Sequence, residues 1–356
     1  MSGVFLKSIG VYHQHAKNFQ ELSELVALGI ALDPEENDLY QVIAPEILNK
    51  KMIKREDRAV LNFNSKIVLN ALSDLGERQA LDALSKATLY SVCDPSESDY
   101  SDIREVLTKY PGKFMENLSE LKLLNNPLDL LRLLPTNPLY HVSKVLENHS
   151  EGTPLRAASS GGLTALKLAH ADISYGTAQN GALIINSANM LAFNKIVMFK
   201  KFGELRQKKA QQSGIIPTWG GVVAYLDHDC EHSLAEVLTV TQIYQPAPRY
   251  EKHEWLRLFG QISDAYGIPD VVISYENGIL SQGKAEREAI AVAFPDVPVF
   301  NYKALTGYGG AINNFTDIAC AVSDARIPAG ARVLFNGAGV MHGLGGALLK
   351  INREFK

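Results

Sequence analysis

The chain has 356 residues, of which 46% are hydrophobic and 21% are charged, and its formal net charge at pH 7 is −4. This composition predicts a globular protein with a sizeable core, and the acidic balance argues against nucleic acid as the default partner. The three cysteines, Cys93, Cys230 and Cys320, form neither a disulfide framework nor a zinc pattern. With no signal-peptide pattern and no run of about 18 apolar residues, we expect a cytoplasmic protein without a membrane span.

The predicted strands and helices alternate along the chain. Strands are predicted from apolar runs at 4–12, 87–94, 181–190, 220–229, 234–244, 269–278, 297–307, 332–339 and 347–354. Helices are predicted at 18–32, 50–75, 126–134 and 163–173. This alternation predicts an α/β protein with mixed or parallel sheets. The second part of the chain repeats the alternation of strands and helices seen in the first. We place the boundary between two halves, 1–228 and 229–356, at the end of the strand at 220–229.

The stretch TPLRAASSGGLTALKLAHADI, residues 153–173, is the most informative local motif. An extended segment ends at Ala158, two serines and two glycines follow, and a helix that is apolar on nearly all sides begins. A tight turn from strand to helix presents its residue to a cleft at the positive end of the helix dipole, where acyl-transfer nucleophiles lie. The structural alternative is that Ser159 or Ser160 caps the helix. The turn by itself favours the structural alternative.

Four other stretches, read together with AASSGGLTALKLA (157–169), carry a family resemblance. They are GALIINSANM (181–190), ENGILSQGKAEREAI (276–290), KALTGYGGA (303–311) and HGLGGALL (342–349). In order and spacing, the chain resembles the β-ketoacyl synthases of the thiolase-fold superfamily over nearly its whole length. The resemblance implies a thiolase-like, five-layered α/β/α/β/α sandwich of two similar halves, and it implies no cofactor or metal.

The resemblance also shows where the expected chemistry is missing. The condensing enzymes hold the acyl chain on a cysteine, and two histidines stabilise the enolate formed when malonyl groups lose carbon dioxide. The cysteine position holds Ser159, the first histidine position, counted back from Glu288, holds Asn277, and the second, counted forward from Lys303, holds Tyr308. A serine needs a base to act as a nucleophile, and neither asparagine nor tyrosine is a base near neutral pH. We therefore expect a vestigial site.

Other positions of the family's site are either retained or changed without removing a catalytic group. Lys303 and Glu288 match a lysine and a structural glutamate and are expected to hold the loop architecture, with a pairing of the two as one option, whereas Ala285 replaces an aspartate. His342, Gly343, Leu344, Gly345 and Gly346 resemble the glycine-rich loop that closes the pocket. The resemblance places His342 where the family has a phenylalanine.

A chain that lacks all three catalytic residues resembles the chain-length factors of type II polyketide systems, which also lack them. The resemblance implies a heterodimer in which an active ketosynthase does the chemistry, this chain shapes the acyl tunnel, and an acyl carrier protein is engaged through the partner. Ser159 departs from the glutamine usual at that position, and the chain is short for the family. An aryl-polyene pathway would suit a subunit of this size.

Two alternatives remain open. The chain could be a serine-dependent acyltransferase with Ser159 as nucleophile, for which His342 is the one histidine in a candidate active-site loop; packing or hydrogen bonding within the loop is the simpler role for that histidine. A decarboxylase-like or regulatory protein acting alone, or as a homodimer, is the other alternative.

Two polar clusters can each be interpreted either as ordinary surface residues or as a binding site. The basic residues Lys200, Lys201, Arg206, Lys208 and Lys209 would occupy a solvated helix face within 199–212 or form a landing patch for an acidic carrier protein. Metal-ligand residue types also occur close together at His228, Asp229, Cys230 and His232. They follow a predicted strand, and no second group of such residues accompanies them, so we expect surface residues rather than a metal site.

Overall fold

Ten strands pair side by side in the described part of the chain. The computed structural model describes residues 3–36, 40, 45–93, 112–113, 115–116, 127–247, 249–339 and 341–352. The strands are β1 (Phe5–His13), β2 (Thr88–Cys93), β3 (Gly152–Leu155), β4 (Ala182–Asn189), β5 (Trp219–Asp227), β6 (Ala235–Ile243), β7 (Val271–Ile273), β8 (Val299–Phe300), β9 (Arg332–Gly339) and β10 (Gly343–Ile351). The predicted strands are therefore all present, although β7 and β8 are much shorter than their apolar runs.

The strand order repeats on either side of the centre. The sheet runs β3-β2-β4-β5-β1-β6-β10-β9-β7-β8. The outer three strands at each end pair in parallel, and all the pairings between them are antiparallel. β1 and β6 pair only through Phe5 with Glu236 and Leu6 with Ala235, so within the sheet the two five-stranded parts meet only near the start of these strands. The predicted boundary between halves, after residue 228, lies between β5 and β6 and stays a prediction.

Helices cover both faces of each five-stranded part. They are α1 (Phe19–Leu28), α2 (Phe63–Gly76), α3 (Pro127–Leu133), α4 (Asn137–Val145), α5 (Gly161–Ser174), α6 (Phe193–Lys201), α7 (Lys252–Tyr266), α8 (Leu280–Ala293), α9 (Lys303–Thr306) and α10 (Asn313–Ser323). Short 3₁₀ turns lie at Lys50–Met52, Glu56–Val60, Leu81–Lys86, Ala158–Ser160 and Gly310–Ile312.

Three apolar cores show that the elements form five layers. The central core packs α5 and α10 between the two five-stranded parts, with Leu166 and Phe315 among its buried side chains. A second core packs α2 and α4 on the outside of the first part, and a third packs α7 and α8 on the outside of the second. The predicted α/β/α/β/α layering is therefore present.

Three helix predictions were wrong in extent. The predicted helix at 18–32 ends at Leu28, because Gly29 takes a left-handed φ of 64°. The predicted helix at 50–75 is helical only from Phe63, because the Asn62 side chain accepts a hydrogen bond from the Ser65 N–H and fixes the helix start there. The predicted basic helix at 199–212 ends at Lys201, and turns follow it. Within the described ranges, no helix has the length and apolar character needed to cross a bilayer.

The predicted surface cluster after β5 is confirmed as exposed. His228, Asp229, Cys230 and His232 all lie at the surface, and Asp229 pairs with Lys7 at 2.8 Å. Nowhere in the described part of the chain do three or more histidine, cysteine, aspartate or glutamate side chains group as metal ligands would.

Candidate functional site

The candidate site lies where the two central helices begin. The turn before α5 meets the turn before α10, and Ala158 in the first turn has a left-handed φ of 46°. The glycines after the two serines are required by close packing. A Cβ on Gly161 would lie 2.4 Å from Val92 Cγ1, and one on Gly162 would lie 3.1 Å from Asn314 Cβ. The motif that the sequence singled out therefore forms a sharp turn, tightly packed against the opposing elements.

Ser159 is buried at this turn, with only 4% of its surface exposed. Its hydroxyl donates a 2.6 Å hydrogen bond to the carbonyl of Ala338 at the end of β9. Its oxygen also lies 3.2 Å from the hydroxyl of Tyr275. Because the Ser159 proton is already donated to a carbonyl, the natural donor of the second hydrogen bond is the tyrosine. Among the described residues, the Ser159 oxygen has no hydrogen bond to a basic side chain.

Tyr275 and Tyr308 extend this contact into a chain of three hydroxyl groups. The Tyr275 hydroxyl bonds both Ser159 and Tyr308, and burial raises the pKa of Tyr275 well above its ordinary value. Tyr308 is fixed by its backbone, which exchanges hydrogen bonds with Ile216 and Thr218 at 2.7 and 3.1 Å. The Tyr308 ring meets the Phe199 ring edge-on, with 6.5 Å between centroids. Tyr308 thus lies next to Tyr275, whose hydroxyl contacts Ser159.

Asn277, the predicted second member of the vestigial site, serves its own loop instead. Its amide donates to Gln282 at 2.8 Å, and its oxygen accepts from the Ile279 N–H at 3.0 Å. The residue that contacts Ser159 is Tyr275. The prediction counted back from Glu288; the same interval of eleven residues counted back from Glu286 reaches Tyr275.

Glu286, which the sequence analysis did not select, holds the loop that carries Tyr275. It is fully buried, and its carboxylate accepts hydrogen bonds from the Tyr275 N–H at 2.7 Å, the Glu276 N–H at 3.2 Å and the Asn336 amide at 2.7 Å. Burial raises the pKa of Glu286 to about 7. Glu288, by contrast, is half exposed and lies 3.7 Å from Lys284 on the same helix. The predicted structural role of Glu288 therefore belongs to Glu286.

Lys303 is buried, and its partner is an aspartate rather than Glu288. Its ammonium lies 2.6 Å from the Asp317 carboxylate on α10 and donates to the Ser274 carbonyl at 3.1 Å. Both side chains are less than 5% exposed. Burial raises the pKa of Asp317, and the Lys303 charge opposes that rise. A pairing of Lys303 with Glu288 is wrong, since Glu288 faces outward on α8.

The predicted pocket-closing loop is for the most part a strand. Gly343–Gly346 belong to β10 and pair with both β6 and β9, and Leu344 lies in the third core. A Cβ on Gly345 would lie 2.8 Å from Leu163 Cδ1, so this glycine lets the sheet approach α5. His342 lies in the turn before β10 with an exposed side chain, and Ser159 has no hydrogen bond to it. The backbone N–H of His342 donates to the Gly339 carbonyl at 2.8 Å, which keeps the residue beside the turn.

The geometry favours hydrogen bonding over covalent chemistry. A serine nucleophile needs a group that accepts its proton, and the Ala338 carbonyl cannot be protonated near neutral pH. Tyr275, whose pKa is raised by burial, stays protonated and can donate a hydrogen bond. Sequence reasoning missed three residues of the site, Tyr275, Glu286 and Asp317, because none of them lies in a recognisable local motif. Counting back from Glu286 instead of Glu288 would have found Tyr275.

The class that this architecture defines is the thiolase-like fold of the ketosynthases. No protein-family model matches the chain, and no curated protein matches it in sequence. Among solved structures, the ishigamide ketosynthase/chain length factor matches with a TM-score of 0.77, 16% identity, and coverage of 98% of this chain and 99% of that one. The fold of this chain is therefore shown, and identities this low show the fold alone.

Two further solved structures have the same fold. AntDE:AntF, a type II polyketide-synthase acyl carrier protein in complex with its ketosynthase bound to the hexaketide, matches with a TM-score of 0.73, 13% identity and 99% coverage of both chains. The PfaC keto synthase-chain length factor has the same TM-score and identity over 99% of this chain. This chain spans only 43% of the length of that protein.

Proposed function

We propose that this chain is a catalytically inactive, ketosynthase-like subunit of the chain-length-factor type. It pairs with an active β-ketoacyl-carrier-protein synthase, and the acyl or polyketide tunnel is shaped by both subunits. The observation that carries the proposal is the hydrogen bonding of Ser159, which donates its proton to the Ala338 carbonyl and has no hydrogen bond to a base in the part of the chain that the structure describes. The acyl carrier protein would be engaged through the active partner.

The chain of hydroxyl groups supports inactivity at the two other positions as well. Tyr308 stands where the resemblance places a histidine, and Tyr275 occupies the place next to the nucleophile position. Two phenols and a serine can stabilise one another by hydrogen bonds, but none of the three takes up a proton near neutral pH. Meanwhile Lys303 and Glu286 keep the surrounding loops in place, so the architecture persists without the chemistry.

Substituting Ser159 with cysteine is expected to give no condensing activity and no malonyl decarboxylation by the chain alone. A thiol at this buried turn would face the same carbonyl and the same phenol, and burial without a cation raises the pKa of a cysteine. The measurement is carbon dioxide release and chain extension with malonyl carrier protein, assayed for the wild type and for Ser159→Cys. Turnover by the variant would overturn the inactive-subunit proposal.

The wild type supplies the complementary test. Incubation with acyl carrier proteins, followed by peptide mass spectrometry, should leave Ser159 unmodified, and Ser159→Ala should be indistinguishable from it. An acyl group on Ser159 in the wild type, absent from Ser159→Ala, would instead support the serine-dependent acyltransferase. Co-expression with ketosynthases that keep cysteine and both histidines tests the pairing itself.

A further inference from the structure

Three asparagines in the chain are followed directly by glycine, namely Asn180, Asn277 and Asn336. In such a pair the backbone nitrogen of the glycine can attack the side-chain amide of the asparagine, because glycine has no Cβ to hinder the approach. The reaction also needs an asparagine side chain that can turn toward this nitrogen and a backbone that can open. The three pairs have the same local chemistry, so their surroundings decide which of them reacts.

Asn277 and Asn336 are held against this reaction. Asn277 is 7% exposed, donates to Gln282 at 2.8 Å and accepts from the Ile279 N–H at 3.0 Å, so both ends of its amide are bonded. Asn336 is 1% exposed, and its amide donates to Glu286 at 2.7 Å. The backbone that follows Asn336 is fixed by the pairing of β9 with β10. Neither side chain can reach the next backbone nitrogen without breaking buried hydrogen bonds.

Asn180 lies at the surface, in the loop that joins α5 to β4. Its side chain is exposed and makes no hydrogen bond to the described part of the chain. The Gly181 N–H donates to the Ala178 carbonyl at 3.2 Å and closes a four-residue turn that ends at glycine, a residue favoured there. The attacking nitrogen is therefore held by one hydrogen bond of an exposed turn, and local opening of such a turn costs far less than opening the core.

The backbone around Asn180 has no room for a longer chain. The Thr88 N–H donates to the Gly181 carbonyl at 3.0 Å, and the Tyr225 hydroxyl lies 3.3 Å from the Asn180 carbonyl oxygen. Gly181 has a left-handed φ of 74°, and a Cβ on it would lie 2.4 Å from the Leu226 carbonyl oxygen. These contacts fix the point at which the chain enters β4, so an extra backbone atom here displaces the start of that strand.

We propose that Asn180 is a site of spontaneous covalent modification, at which the Gly181 nitrogen closes a succinimide ring that water then opens to aspartate or isoaspartate. Hydroxide removes the proton of the Gly181 N–H, and the nitrogen forms a bond to Cγ of Asn180. The bond from Cγ to the side-chain nitrogen breaks, and that nitrogen leaves as ammonia with a proton from water. One water molecule then adds to either carbonyl of the ring. The net change consumes one water and releases one ammonia.

The isoaspartate product changes the fold as well as the charge. It routes the backbone through the side-chain carbons of residue 180 and so adds one atom to the chain just before β4. We therefore expect the protein to lose stability as this product accumulates, seen as a lower urea midpoint of unfolding. The aspartate product keeps the normal backbone and should behave like the variant Asn180→Asp, which separates the effect of the new charge from that of the longer backbone.

The test is incubation of the purified full chain in heavy-oxygen water at mildly alkaline pH, followed by digestion in ordinary water and peptide mass spectrometry. Heavy oxygen marks only the products formed during the incubation. The Asn180 peptide should gain the acid form at least tenfold faster than the Asn277 and Asn336 peptides. In urea the three peptides should react at similar rates, because all of them contain Asn-Gly. Asn180→Gln should suppress the reaction at this position, because glutamine would have to close a larger ring.

Two outcomes of the labelling would overturn the proposal. Equal rates for the three peptides in the folded protein would show that the surroundings do not select Asn180. An Asn180 peptide that reacts in urea but not in the folded protein would show that the turn protects the residue. For the effect on the fold, the wild type should lose stability on ageing while Asn180→Gln keeps its urea midpoint, and an equal loss in both proteins would contradict the expected displacement of β4.

Discussion

Replacing Lys303 with methionine is expected to lower the free energy of unfolding by about 3–5 kcal/mol, the cost of removing one partner of a buried ion pair. The substitution leaves the Asp317 carboxylate fully buried, where burial already raises its pKa. It also removes the donor to the Ser274 carbonyl, one residue before Tyr275. The measurement is urea unfolding followed by tryptophan fluorescence or circular dichroism.

Two controls make the Lys303 prediction specific. Lys284→Met removes a lysine that is 72% exposed and lies 3.7 Å from Glu288, so it should change stability by less than about 0.5 kcal/mol. The double variant Lys303→Met/Asp317→Leu should be less destabilised than Lys303→Met alone, because no charge is then left buried. Equal effects for Lys303→Met and Lys284→Met would show that the ion pair does not hold the site together.

Replacing Glu286 with alanine is expected to cost about 3 kcal/mol or more. Three donors would lose their acceptor, namely the N–H groups of Tyr275 and Glu276 and the amide of Asn336, and each unpaired buried group costs about 1–3 kcal/mol. Glu288→Ala should change stability by less than about 0.5 kcal/mol, because its side chain is 48% exposed. The pair of variants decides which glutamate of α8 is structural.

The pH dependence of stability adds a second readout for Glu286. Burial raises the pKa of Glu286 from its ordinary value of 4.5 to about 7, so the folded protein binds the proton more tightly than the unfolded chain. The stability that this group contributes is fully present below pH 4.5 and is lost as the pH rises through 7. Wild type should therefore lose stability relative to Glu286→Gln between pH 4.5 and 7. Parallel stability curves for the two proteins across this range would contradict the assignment.

The sequence and the structure agree best where a pattern is local. The predicted helix is α5, which begins at Gly161, and Ser159 lies at the predicted turn. Tyr308 was reached by counting five residues from Lys303, and both residues lie at the site. Each of these features depends on neighbours in the chain, so spacing and side-chain size were enough to find them.

The errors arose where two candidates lay close together in sequence. Glu286 and Glu288 are separated by two positions, which on a helix places them on nearly opposite sides. Only the tertiary arrangement decides that Glu286 is buried and bonds Asn336 on β9 while Glu288 faces water. The wrong choice of glutamate then carried over to Asn277, and so Tyr275 was missed.

The sequence by itself determined the α/β class and the absence of a cysteine at the turn before α5, because these are written in periodicity and residue identity; the layered thiolase-like architecture was implied by the family resemblance. Only the tertiary structure decided that Tyr275 contacts Ser159 across 116 positions of chain and that Lys303 pairs with Asp317. Contacts of this kind depend on how separate elements pack against one another, and local sequence carries no record of that packing.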